Sequence, residues 1–123
     1  MLAPPADALL APLRGIDGLL IACLIDPDRG TVLGSVQARD DLRTPVAAAG
    51  AADVVAVLAL MSGQLPADGE AEDVIVTFSK QFHLIRVLRS GPAEGMILLV
   101  TLDRAHANLA MANRAIRDFT ASF

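Results

Sequence analysis

Residues 18–36 read GLLIACLIDPDRGTVLGSV, and the organisation of the chain can be built outward from them. A strand with one wet face alternates apolar and polar residues, whereas Leu19 to Ile25 is apolar at every position. Such a run, set between Gly18 and Asp26, predicts a strand buried on both faces. Asp26-Pro27-Asp28-Arg29-Gly30 predicts a tight turn, because Pro27 presets one dihedral and Gly30 permits a positive φ. Thr31 to Val36 returns as a second strand, which makes the unit a β-hairpin. Short connections of this kind imply a mainly antiparallel sheet, and strands apolar on both sides need helices over both faces.

The flanks supply those helices. Upstream, Leu9, Leu10, Leu13 and Ile16 recur at helical spacing, but Pro12 makes the helix short or kinked. Downstream, Thr44-Pro45 predicts a helix start, with Thr44 as N-cap, and Gly63 is expected to stop the helix near Ser62. Residues 64–71 contain Pro66 and Gly69 and are expected to form a loop. Glu72 to Lys80 and Phe82 to Arg89 predict a second hairpin turning at Lys80-Gln81, and Met96 to Leu102 a further strand. Asp103 is expected to cap a last amphipathic helix whose inner face carries Ala105, Leu109, Ala112, Ile116 and Phe119. The expectation for residues 1–123 is one α/β domain, a three-layer α/β/α sandwich around a mainly antiparallel five-stranded sheet. Its element order is helix-strand-strand-helix-strand-strand-strand-helix.

The middle helix is unusual in composition. Between Val46 and Met61 the sequence VAAAGAADVVAVLALM carries a single charge, Asp53. At about 100° per residue, Ala47, Ala51, Val54, Val55, Leu58 and Met61 gather on one side, where bulk suits packing on a sheet. Ala48, Ala49, Ala52, Ala56 and Ala59 gather on roughly the other side. A smooth apolar strip of this kind has nothing obvious to cover it in so short a chain, so those five alanines are expected to form a homodimer contact.

Composition closes off several classes of function. The net charge is −4 with no basic stripe, and aromatic residues are 3%, all of them Phe, which argues against nucleic acid as a partner. No secretory signal is seen. The run 46–61 falls short of the roughly 20 residues a membrane span needs, so a cytoplasmic protein without membrane insertion is expected. The lone cysteine, Cys23, fits a reducing compartment and sits in an apolar strand that would hide it. The only lysine, Lys80, lies outside any G-x-x-x-x-G-K-[ST] loop, so the chain is not itself a P-loop GTPase. GxGxxG, GxSxG and HExxH are absent. Asp26 and Asp28 lack the further oxygen ligands and late Glu of a calcium loop. His83 and His106 stand apart from any Cys/His/acid cluster, so no metal is expected. His83, Arg86 and Arg89 are expected to form a small basic spot at a strand end. No catalytic residue and no cofactor site are expected.

The Gly15-x-x-Gly18 lead into LLIACLID, the DPDRG turn with TVLGSV, the helix AAAGAADVVAVLALMSG and the closing pair GMILLVTL plus a helix with Asn108 near its start together resemble the roadblock/LC7 family. The likeness covers nearly the whole chain, with the short, proline-broken first helix as a departure. It implies a non-catalytic homodimer whose sheets join into one, with the middle helices side by side, serving as a scaffold that binds or regulates a small Ras-like GTPase or related signalling partner. The alternative from another class is a small-molecule-binding sensor domain of similar sandwich fold, which would need a pocket that the dense apolar strands leave little room for.

Overall fold

The computed structural model of the chain describes residues 6–64 and 72–122. A short helix α1 (Ala6–Leu10) runs into a 3₁₀ turn (Ala11–Gly15) at Pro12. The remaining elements are β1 (Leu19–Asp26), β2 (Thr31–Gln37), α2 (Thr44–Gln64), β3 (Asp73–Thr77), β4 (Gln81–Val87), β5 (Ile97–Asp103) and α3 (Leu109–Ala121). The strands lie in the order β2-β1-β5-β4-β3, and every pairing is antiparallel.

Alternation along the two central strands divides the core into two layers. Ile21, Cys23 and Ile25 of β1 and Ile97 and Leu99 of β5 face α2. Ala22 and Leu24 of β1 and Leu98, Val100 and Leu102 of β5 face the opposite side. There they pack with Leu10 and Leu13 at the N-terminus and Ala112 and Ile116 of α3. The expected three-layer sandwich follows from these doubly buried strands.

Local chemistry shapes the turns. In the first hairpin the Gly30 amide donates to the Asp26 carbonyl at 2.8 Å and the Asp28 amide to Asp26 Oδ1 at 2.9 Å. Gly30 has φ +67°. This is a hairpin turn stabilised by its own aspartate. Gly18 has φ +81°, and a Cβ there would lie 3.0 Å from the Ala107 nitrogen and the Asp103 carbonyl oxygen. Its backbone thereby comes close enough for the Asp103 amide to donate to the Gly18 carbonyl at 2.8 Å.

Several boundaries differ from expectation. Asp103 caps a turn and not the last helix: its Oδ1 accepts from the Ala105 amide, and its carbonyl from the His106 and Ala107 amides. The helix starts later, where Asn108 Oδ1 accepts from the Met111 amide at 3.1 Å. Ala105 is accordingly exposed. Gly63 does not stop α2, which continues to Gln64. The expected loop 64–71, beyond its first residue, lies outside the described residues.

Candidate interaction surface

The start of α2 is fixed by neighbours in sequence and space. The Arg43 carbonyl accepts from the Ala47 amide at 3.2 Å and so opens the helical ladder one residue before Thr44. Thr44 is buried, and its hydroxyl accepts a hydrogen bond from Gln37 Nε2 at the end of β2. The expected N-cap threonine is therefore a tether between helix and sheet. From there α2 lies over β2, β1 and β5.

Its inner face is made of small residues. Ala48, Ala51 and Ala52 are buried against the sheet, with Ala47, Val54 and Val55 packed beside them. Two residues of the expected dimer contact, Ala48 and Ala52, are thus turned inward; Ala48 is 0% exposed. The reason is steric. A sheet already filled by Ile21, Ile25, Ile97 and Leu99 accepts a helix closely only through small side chains. The buried face is consequently turned by less than one residue step, about 100°, from one centred on the bulky residues. Ala49, Ala56 and Ala59 do lie on the outside. With them, and unanticipated, stand Val46 at 63% exposure, Val57 at 55%, Leu60 at 69% and Met61 at 50%. Asp53 is the single charge on this face and has no ion-pair partner among the described residues.

By length and composition α2 could cross a membrane, so the expectation that this run is too short does not hold. Here its alanine face is packed on a sheet.

On the same side of the sheet, toward β3, Val76 and His83 are half-buried and Phe78 is exposed. The Phe78 and His83 rings lie 4.6 Å apart, and His83 Nε2 meets Gln81 Oε1 at 2.9 Å. Burial holds the His83 imidazole below its usual pKa. Phe78 belongs to this surface by the same alternation that places Val74 and Val76, a signal legible in the sequence.

The two edges of the sheet differ. At β2 the Ser35 amide donates to Asp7 Oδ1 of α1 at 2.7 Å, and α1 runs alongside the strand. At the other end β3 is the terminal strand among the described residues.

The remaining candidates resolve into structural roles. Cys23 is fully buried, and burial pushes its thiol up to about 12. His106 lies in the turn before α3, where Nδ1 meets Asp103 Oδ2 at 2.8 Å. That contact, with the Ala105 amide, holds the Asp103 carboxyl below its ordinary range. The expected basic spot does not form as drawn. Arg86 faces away from His83, on the α3 side, and pairs with Asp73 at 3.2 Å. No group of three metal-ligating side chains occurs among the described residues. On the face opposite α2, a groove of about 800 Å³ runs between the 3₁₀ turn and α3.

No family model matches the sequence, and no curated protein matches it. Solved structures do. A roadblock/LC7 domain from Streptomyces avermitilis superposes with a TM-score of 0.77 at 19% identity, covering 94% of this chain and 92% of that one. MglB in a tetrameric arrangement gives 0.80 at 17% identity over 99% and 89%. The gliding protein MglB of Thermus thermophilus gives 0.79 at 17% identity over 98% and 88%. At these identities the likeness is one of fold.

Proposed function

We propose that this chain, which has the roadblock/LC7 fold, works as a dimeric interaction module with no reaction of its own, and that its outer α2 face is the contact. The observation that carries the reading is the exposure of Val46, Val57, Leu60 and Met61 on one helix whose opposite face is already packed. A contiguous apolar surface of this kind is costly in water and marks an interface. A second copy related by a two-fold axis would lay its own α2 alongside, over the β3–β4 side that the first α2 leaves uncovered, where Phe78 and His83 lie. The terminal strand β3 could then pair with its symmetry mate, because an unpaired edge presents a row of backbone donors and acceptors. The class of further partner, a small Ras-like GTPase or related signalling protein, is what the family resemblance implies. Regulation of such a partner would fall to the dimer surface, since no nucleotide-binding loop occurs in this sequence.

The test is the mass in solution. Light scattering of the parent at about 50 μM, where an ordinary specific interface holds, should give twice 12.8 kDa. Replacing both Val57 and Leu60 with Asp should halve that mass without loss of the folded spectrum, because neither side chain packs on the sheet. A monomeric parent defeats the dimer reading. A dimeric double variant puts the contact elsewhere than α2. Capture of a nucleotide-dependent partner from lysate, run with GDP and a GTP analogue, examines the second half of the proposal separately.

A further inference from the structure

We propose that the groove between the 3₁₀ turn and α3 docks a basic amphipathic helix of a partner protein. This surface lies on the side of the sheet opposite α2, and the inference does not depend on the dimer reading.

The groove has two helical walls. Along α3, lining residues recur every three or four positions from Asn108 to Ser122, a length of about 20 Å at 1.5 Å per residue. That matches three to four turns of a second helix. Ala112 and Ala115 keep the middle of this wall low, and Met111 and Phe119 rise beside it. Met111 is 68% exposed, a large flexible apolar side chain held in water at the groove. Leu13 and Ile16 form part of the facing wall. An apolar trough of this width and length suits a helix presenting residues at i, i+3, i+4 and i+7.

Charge selects the kind of helix. The groove is lined by two ionisable side chains, Asp17 and Asp118, and both are acids. Neither has an ion-pair partner among the described residues. Of the cations on the same elements, Arg14 reaches toward the Gln37 carbonyl at 3.5 Å, Arg117 lies 3.9 Å from Asp73, and the exposed Arg114 does not line the groove. Asp17 sits at the α3 N-terminal end, beside Gly18, which touches Ala107. Asp118 sits near the α3 C-terminus. Lysine or arginine placed about eleven residues apart, three turns along one face, would meet one carboxylate at each end while the apolar stripe between them fills the trough.

The probe is a fluorescein-labelled synthetic helix of about five turns with a Leu/Ala stripe and one lysine at each end of it. Its twin carries glutamates in place of the lysines. The full chain should prefer the lysine peptide by about tenfold, the sum of two exposed ion pairs. The preference should shrink as salt is raised. Asp17→Asn with Asp118→Asn should abolish most of it. Ala115→Arg should block both peptides, and Asp118→Lys, an exposed change that leaves packing intact, should erase the preference, because each peptide then meets one attraction and one repulsion. Amide chemical shifts of the parent should move along the 3₁₀ turn and α3. Equal binding of the two peptides, unchanged affinity in both Ala115→Arg and Asp118→Lys, or shifts confined to α2 would each overturn the proposal. So would peptide binding that halves the protein's mass in light scattering, because the groove's occupant would then have been a second copy of this chain.

Discussion

Single positions in this protein are constrained by backbone geometry and burial more than by side-chain chemistry. Gly18 combines a left-handed φ with carbonyl and amide atoms 3.0 Å from where a Cβ would stand. Gly18→Ala should therefore cost about 2 kcal/mol or more, from αL strain plus displacement of the β5–α3 turn. Chemical denaturation would register this, and an unchanged midpoint would show that the turn yields freely. His83 makes a pH prediction. Burial lowers its folded pKa from the ordinary histidine value of 6.5. On acidification the unfolded chain therefore takes up the proton first. Stability should be full above pH 6.5, fall as pH drops from there through the lowered folded value, and level off below it. His83→Gln should remove that part of the slope between neutral and mildly acidic pH. Identical slopes in parent and variant would disprove the assignment. Cys23, its thiol pushed up to about 12, should react with a disulfide reagent only on unfolding.

At the scale of elements, α2 carries the sharpest contrast. Ala48 and Ala49 are neighbours of the same type, yet Ala48 is buried and Ala49 exposed. In the Val57→Asp, Leu60→Asp background, where association should not contribute, Ala48→Leu should cost about 1–3 kcal/mol by overpacking. Ala49→Leu should stay within about 0.5 kcal/mol. Equal costs would mean that the helix rotates to accommodate either. The same contrast explains what the sequence discloses and what it withholds. The doubly apolar β1 and β5, the DPDRG turn and the proline-broken first helix are legible because their signals are local. The rotation of α2 is not, since a helix that is apolar all round has no moment to orient it, and the deciding fact is how full the sheet beneath already is. The start of α3 is hard to place for a related reason: Asp103 and Asn108 are both good caps, and the close approach of Gly18 to Ala107 allots the turn to one and the helix to the other. Proximity in sequence groups Arg86 with His83, although opposite parity on a strand sends them to opposite faces.

For the whole molecule, the pairing of β1 with β5 and the placing of β3 at the far end join segments distant in sequence, and no local pattern encodes them. The ends of the sheet differ in a way that bears on assembly. If dimerisation is as proposed, mass should rise with concentration to twice 12.8 kDa and then stay constant, and a continuing climb in light scattering would contradict it. The reason for a plateau lies in Asp7. By accepting from the Ser35 amide it occupies an outward donor of β2, and α1 packs beside that strand. In polymerisation terms, a dimer of that kind would make the molecule a monofunctional monomer, with the β2 end capped and the β3 end coupling. Coupling two such units consumes the reactive end of each, so the first step is also the terminating step. A sheet uncapped at both ends would instead be bifunctional and would propagate into a fibre. In such an assembly the short first helix, with its single carboxylate, would act as the chain stopper.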